Sequence, residues 1–184
     1  MKDSLIWIDM EFTGLDLDKD VILEIATVVT DGDLNVLSEG PNIAVHQDDG
    51  MLAGMDEWNR KHHRESGLVD RVRASAETAE SAEEKTLEFL RTYCEPGKAP
   101  LCGNSVHQDR AYIVKYMPRL NNFLHYRNID VSSIKELVRR WYPKLPEYKK
   151  KQTHKAHEDI LESIGELRYY RENVFRRRTE ETGL

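Results

Sequence analysis

The sequence predicts an α/β protein in which helices cover a mixed five-stranded sheet. Three apolar segments separated by short turns come first, a pattern typical of an antiparallel meander. Short apolar segments then alternate with helical patterns, as they do when strands join a sheet in parallel. The chain has 184 residues, which suits one domain with a substantial core.

The meander is predicted from segments rich in isoleucine, valine and leucine. Strands are expected over residues 5–10, 21–30 and 34–46, the last interrupted near Gly40-Pro41. Asp31-Gly32-Asp33 has the composition of a hairpin turn between the second and third strands. These three strands therefore form the antiparallel half of the predicted sheet.

The remainder of the chain alternates between helices and two short strands. Helices are expected over residues 52–63, 75–93, 108–116, 132–141 and 155–175, and strands over 100–103 and 128–131. Pro96-Gly97 and Pro118 mark helix ends. Ser132 is expected to cap the helix that follows it, with Glu136 as its partner in the cap.

Composition and charge exclude several classes of protein. Two cysteines, Cys94 and Cys102, are too few for a disulfide framework and lack metal-ligand spacing, so we expect a reducing compartment. The N-terminus has no signal-peptide pattern, and no apolar run approaches the roughly 18 residues that cross a bilayer. We expect a cytoplasmic protein with no membrane partner. The net charge of −6 argues against long duplex DNA as a partner, because tracking it usually requires a broad basic face.

Two acids on the first strand are the first candidate site residues. Asp9 and Glu11 alternate along the strand, so their side chains share one face about 7 Å apart at Cα. Carboxylates among apolar neighbours are costly unless a proton, a basic side chain or a divalent cation compensates them. A solvated strand end with no function remains the alternative for this pair.

Two later segments carry further candidates. Asp109 falls in the first turn of a predicted helix, where the helix dipole alone also favours a carboxylate. Ser105 and Gln108 beside it could bind a phosphate or simply cap the turn. His154 precedes Asp159 by five residues, so the two can reach one cavity only if His154 lies in the loop before the helix.

Taken together, these segments predict a two-metal nuclease site. Asp9, Glu11, Asp109 and Asp159 supply four carboxylates, which can hold two divalent ions roughly 3.5–4 Å apart for phosphodiester hydrolysis. His154 titrates near neutral pH and would accept the proton of the attacking water as general base.

The order of these residues resembles that of the DEDDh 3′–5′ exonucleases, which have the ribonuclease H-like fold, and among them the oligoribonuclease family. The resemblance covers about residues 4–175. Its most specific stretches are residues 7–16, 39–41, 66–68, 102–110, 116–118 and 125–141. It implies a single exonuclease domain over residues 1–175, followed by a polar tail over 176–184.

The resemblance also implies an activity and a set of binding residues. The family hydrolyses very short RNAs, above all 5′-phosphorylated diribonucleotides, with Mg²⁺ or Mn²⁺ and as a homodimer. Leu15 matches a wedge between the two bases, Trp58 matches a stacking residue, and Tyr126 matches one that reaches across from the other subunit. Residues matching positions near the substrate phosphates are Ser105, Gln108, Arg127 and Ser132, of which Arg127 and Ser132 match residues that help cap the 5′ end. Arg127 is also expected to join Tyr126 in the contribution across the dimer.

Some assignments keep alternatives. Without the resemblance, Trp58 and Tyr126 are ordinary core or rim aromatics. His63 could approach the substrate through its neighbour Trp58, and the alternative is a surface histidine with no role. His157 stands where the family commonly has an apolar residue, so it could compete for metal. The alternative function is a proofreading-type 3′–5′ exonuclease on single-stranded DNA. A non-catalytic scaffold is disfavoured because all four carboxylates and His154 are present.

Overall fold

The computed structural model describes residues 3–149 and 156–175 of the chain. In chain order the elements are β1 (Leu5–Phe12), β2 (Ile22–Thr30), β3 (Val36–Ala44), α1 (Asp49–Ala53), α2 (Glu57–Glu65), α3 (Leu68–Ala74), α4 (Ala79–Tyr93), β4 (Leu101–Gly103), α5 (His107–Tyr116), α6 (Pro118–Phe123), β5 (Asn128–Asp130), α7 (Val131–Trp141) and α8 (Ala156–Asn173).

The five strands form one sheet in the order β3-β2-β1-β4-β5. β1, β2 and β3 pair antiparallel, whereas β4 joins β1 in parallel and β5 joins β4 in parallel. The predicted mixed sheet is therefore confirmed. β1 lies at its centre, and the carboxyl ends of β1 and β4 meet at the same edge.

The predicted interruption near Gly40-Pro41 is a bulge within β3 rather than a break. Ala26 pairs with Asn42, and Val28 pairs with Glu39, so β3 carries one extra residue there. A side chain at Gly40 would place its Cβ 2.5 Å from the ring of Phe89 on α4. Glycine at this position lets α4 pack closely on β3.

Helices cover both faces of the sheet. One core cluster contains Ile6, Ile8 and Met10 of β1 packed with residues of α4, α5 and α6. The other contains Trp7 of β1 packed with residues of α7 and α8. Because side chains alternate along a strand, Asp9 and Glu11 lie on the α8 face with Trp7.

Several helix predictions were wrong in their boundaries, because side-chain caps decide where helices begin. The single helix expected over 52–63 is two helices, since Asp48 accepts the N–H of Met51 and Asp56 accepts that of Asn59. The helix expected from residue 75 begins at Ala79 behind a capping box of Thr78 and Ser81.

The structure also corrects the region from Pro118 to Ser132. Pro118 begins α6, a helix that was not predicted. Proline suits the first turn of a helix, so Pro118 marks a helix start as well as the end of the helix before it. Asp130 rather than Ser132 caps α7: its carboxylate accepts the N–H of Ser132. α3 was likewise not predicted.

Within the described ranges, 3–149 and 156–175, no helix has the length and apolar character needed to cross a membrane. The predicted tail over 176–184 lies outside these ranges.

Candidate active site

Three carboxylates meet at the edge of the sheet where β1 ends. Asp9 and Glu11 come from β1, and Asp159 comes from the first turn of α8. Each offers a carboxylate oxygen, and these oxygens lie within 4.8 Å of one another. The face that strand alternation predicts for Asp9 and Glu11 is thus the face on which α8 delivers Asp159.

The fourth predicted carboxylate lies beside this cluster. Asp109 is in the first turn of α5 and is buried. Its Oδ1 accepts the backbone N–H of Met10 at 3.1 Å. Since Met10 lies between Asp9 and Glu11 in β1, this bond holds Asp109 next to the two strand acids.

The electrostatics of the cluster disfavour ionised carboxylates in the absence of a cation. The pKa of Glu11 is raised from 4.5 to about 9, first by burial and then by the charges of Asp9, Glu24 and Asp159. Burial and then the charge of Asp9 raise the pKa of Asp109 well above its ordinary value. Oxygen-rich clusters of this kind fit hard divalent cations, whose charge would offset the repulsion.

His63 lies behind Glu11 and is buried, so the alternative of a surface histidine is wrong. It is buried, its Nε2 is 2.9 Å from the carbonyl oxygen of Phe12, and its Nδ1 is 3.9 Å from Oε2 of Glu11. Burial lowers its pKa. A neutral ring would donate Nε2–H to Phe12 and turn Nδ1 toward Glu11.

A cavity of about 450 Å³ opens in front of the carboxylates. Its lining includes Asp9, Glu11, Asp109, Leu15, Trp58, Ser105, Gln108, Asn59 and Asn104. Leu15 is 64% exposed and Trp58 is 57% exposed, so each presents a large apolar surface at the cavity. The indole of Trp58 stacks on the ring of His62 at 3.9 Å between centroids.

The turn that carries Leu15 is held by side chains on both sides. Asp20 accepts the hydroxyl of Thr13 and the N–H of Asp16, both at 2.9 Å. The hydroxyl of Tyr112 donates to the carbonyl of Gly14 at 2.9 Å. An apolar side chain in this turn is therefore presented by a constrained backbone.

Ser105 and Ser132 are brought together although 27 residues separate them. Ser105 has φ of 52°, a left-handed conformation that non-glycine residues rarely adopt. Its N–H donates to Oδ1 of Asp130 at 2.9 Å and to Oγ of Ser132 at 3.0 Å. These bonds hold the strained residue at the rim of the cavity.

Tyr126 and Arg127 form an exposed aromatic and basic pair. Tyr126 is 71% exposed, and the guanidinium of Arg127 lies 5.2 Å from the centre of its ring. Neither belongs to the cavity lining formed by the described residues.

Of the predicted base, His154, and the nearby His157, the structure describes only His157. His154 lies outside the described residues. Nε2 of His157 is 3.0 Å from Oε2 of Glu39, so the ring turns toward β3 rather than into the carboxylate cluster.

Sequence reasoning did not single out Asn104 or Asn59. Asn104 stood inside the Gly-Asn-Ser stretch, but an asparagine after a strand is ordinary turn chemistry, so its pattern carried no separate signal. Its structural role becomes apparent only from its contacts with Ser132 and Ser163 in the folded chain.

Known proteins show similarity over nearly the whole chain. Residues 6–167 match the Exonuclease family RNase_T. An oligoribonuclease of Shewanella loihica is 58% identical over 174 residues, covering 94% of this chain and 96% of its own. One of Alcanivorax borkumensis is 57% identical over 173 residues, covering 94% and 96%.

Solved structures show the same fold in more distant proteins. Exonuclease I of Escherichia coli, in complex with an oligonucleotide, overlays 95% of this chain with a TM-score of 0.71 at 15% identity. Exonuclease I of Methylocaldum szegediense overlays 94% with a TM-score of 0.68 at 17% identity. This chain spans 42% and 41% of those two chains, and the ribonuclease H-like sheet is what they share.

Proposed function

The chain belongs to the exonuclease family and is a nuclease, and from this premise we propose that it is a 3′–5′ exoribonuclease that hydrolyses short oligoribonucleotides to nucleoside monophosphates. Diribonucleotides with a 5′ phosphate are its proposed preferred substrates. The observation that carries the proposal is the cluster of Asp9, Glu11 and Asp159, in which the strand acids line a cavity together with Asp109, Leu15 and Trp58. Relatives named oligoribonuclease, matched over almost their full length, support it.

The proposed cofactors are two divalent ions, Mg²⁺ or Mn²⁺. Asp9, Glu11, Asp109 and Asp159 would hold them, because carboxylate oxygens are the ligands these ions prefer. The raised pKa values of Glu11 and Asp109 show how strongly the burial of these acids needs compensation. When bound, such ions supply an activated water and stabilise the leaving oxygen.

The proposed general base is His154. Its support is its spacing of five residues from Asp159 and the resemblance to the DEDDh motif. A neutral imidazole at this place would accept the proton of the attacking water. His157 is not a competing base in this proposal, because its ring pairs with Glu39.

Stacking and phosphate contacts would select the substrate. Leu15 would separate the two bases and Trp58 would stack on one, at roughly 1–3 kcal/mol per base and with little regard to base identity. Ser105, Gln108 and the fork-shaped guanidinium of Arg127 would bind the phosphates, and Ser132 would lie beside them. His63 would contribute indirectly, through the proximity of its Nδ1 to Oε2 of Glu11. Capture of the 5′ phosphate would make the enzyme sensitive to substrate length.

The proposed assembly is a homodimer in which Tyr126 and Arg127 reach the site of the partner subunit. Their support within the chain is that they form an exposed aromatic and basic pair that is not part of the described cavity lining. Residues 1–175 are the proposed exonuclease domain, with a polar tail over 176–184.

Hydrolysis of a 5′-phosphorylated diribonucleotide with Mn²⁺ tests the proposal, beside a long single-stranded RNA and the matching DNA dinucleotide. We expect fast cleavage of the diribonucleotide alone and its loss in Asp9→Ala. Asp70→Ala is the matched control, because it removes an exposed carboxylate on α3, away from the cavity. Faster attack on the long RNA would overturn the length selection, and faster attack on DNA would favour the proofreading-type exonuclease.

A further inference from the structure

We propose that Asn104 is a positioning residue. It fixes Ser105 and Ser132, the serines of the proposed 5′-phosphate site, relative to α8, the helix that carries Asp159. This inference rests on the proposed function. Its basis is a continuous chain of four hydrogen bonds from Ser105 to Asp159. In order, Ser105 N–H donates to Ser132 Oγ at 3.0 Å, Ser132 O–H to Asn104 Oδ1 at 3.0 Å, Asn104 Nδ2–H to Ser163 Oγ at 2.6 Å, and Ser163 O–H to the carbonyl of Asp159 at 2.8 Å.

The direction of these bonds follows from their two ends. The carbonyl of Asp159 can only accept, so Ser163 donates to it and its oxygen accepts from the amide of Asn104. Oδ1 of Asn104 then faces Ser132, whose hydroxyl must donate. The oxygen of Ser132 is left to accept the N–H of Ser105. Every hydrogen therefore points from the rim of the cavity toward α8, an arrangement in which successive bonds strengthen one another.

A buried carboxylate fixes the orientation of the Asn104 amide independently. Glu166 on α8 is 0% exposed. Its Oε2 accepts Nδ2–H of Asn104 at 3.4 Å, its Oε1 accepts the hydroxyl of Tyr170 at 2.9 Å, and Nζ of Lys135 is 3.6 Å from Oε1. A reversed amide would place Oδ1 of Asn104 against this carboxylate. The contact of Nδ2 with Glu166 therefore favours the same amide orientation as the chain of hydrogen bonds.

The orientation of Asn104 determines which hydroxyl is available to a phosphate. The hydrogen of Ser132 is committed to Asn104, whereas the hydroxyl of Ser105 lies 3.3 Å from the oxygen of Ser132. Ser105 can therefore turn its hydrogen to a phosphate oxygen without breaking the chain. Loss of the Asn104 amide would release Ser132 and loosen the left-handed backbone of Ser105.

Asn104 also lines the cavity, so a direct contact with substrate has to be distinguished from positioning. Ser163 separates the two possibilities. It is buried on α8, is not among the described residues that line the cavity, and joins Asn104 to the carbonyl of Asp159. If Asn104 acts as a positioning residue, removing the hydroxyl of Ser163 also lowers the preference for a 5′ phosphate. If Asn104 only contacts substrate, removing that hydroxyl leaves the preference unchanged.

The test measures kcat/KM for a diribonucleotide with a 5′ phosphate and for the same diribonucleotide with a 5′ hydroxyl, and takes their ratio. A merely structural defect would lower both values together. In Asn104→Ala we expect this ratio to fall about tenfold, as for loss of one buried hydrogen bond. In Ser163→Ala we expect a fall of about threefold, because Glu166 still orients the amide. The matched control is Asn121→Ala on α6, in which we expect the ratio of the wild type.

The outcomes separate this inference from the function on which it rests. Wild type that shows no preference for the 5′ phosphate overturns the proposed 5′-phosphate site itself. Wild type with a clear preference that persists in Ser163→Ala overturns the positioning role alone. Thermal unfolding of each variant precedes the kinetics, and Ser163→Ala decides the question if Asn104→Ala does not fold.

Discussion

At the scale of single residues, Glu11 shows how tertiary burial changes a carboxylate. Strand alternation places it beside Asp9, but its raised pKa comes first from burial and then from the neighbouring acids. Glu24, which also raises it, lies directly opposite on β2 and pairs with Arg71 at 2.6 Å. A side chain that looks like one acid among many therefore becomes a group with an unusual proton affinity.

The metal-free protein should consequently lose stability as the pH rises. The pKa of Glu11 is about 9 in the folded state and 4.5 when unperturbed, so the folded state holds the proton more tightly. That contribution is fully present below 4.5 and is lost as the pH rises through about 9. In EDTA, we expect the Tm of Glu11→Gln to rise relative to that of the wild type between pH 5 and pH 9. Parallel Tm profiles for the two proteins would contradict this.

At the scale of elements, a buried carboxylate joins two helices on the opposite face of the sheet. Glu83 of α4 accepts the backbone N–H of Leu120 at 2.9 Å and the Nε–H of Arg119 at 2.7 Å. Both donors belong to the first turn of α6, where a negative charge also complements the helix dipole. α6, which the sequence did not predict, is thus held by a residue of another helix.

Glu83→Ala should destabilise the protein, because it leaves a buried N–H of Leu120 without its acceptor. We expect a loss of about 2–3 kcal/mol in the free energy of unfolding, measured with urea. Glu84→Ala is the matched control: Glu84 also contacts Arg119 but is exposed at the surface, so a much smaller loss is expected. Equal losses in the two variants would show that Glu83 acts only through its ion pair.

Over the whole molecule, the proposed dimer gives a role to an exposed aromatic and basic pair that is not part of the described cavity lining. Tyr126 and Arg127 follow α6 and precede β5, with the ring of Tyr126 4.4 Å from that of His125. In the proposed assembly each active site takes its carboxylates from one subunit and a stacking residue from the other.

Mixing two inactive variants tests this sharing. In Asp9→Asn the carboxylate cluster is incomplete, and in Tyr126→Ala the stacking residue is missing. In a mixed dimer, the subunit with intact Asp9 receives Tyr126 from its partner, so one complete site forms. We expect diribonucleotide hydrolysis well above that of either variant alone after subunit exchange. Activity no higher than the mean of the two would show that Tyr126 serves its own chain.

Local sequence rules predicted a large part of this protein. Alternation and turn composition predicted the meander, the parallel strands and the shared face of Asp9 and Glu11, because these depend on residues within a few positions of one another. The same rules failed where caps compete: Ser132 looked like an N-cap, but Asp130 has the carboxylate that accepts its N–H.

Strand periodicity and residue type are local properties, so they suffice to predict the mixed sheet and the order of the acids along it. The contact of His63 with Glu11, 52 positions away, and the link that Asn104 makes between Ser132 and Ser163, which lies 59 positions after Asn104, appear only in the folded chain. Such contacts depend on how α2, α7 and α8 dock on the sheet. Docking is set by the packing of whole faces, which the residues nearby in sequence do not encode.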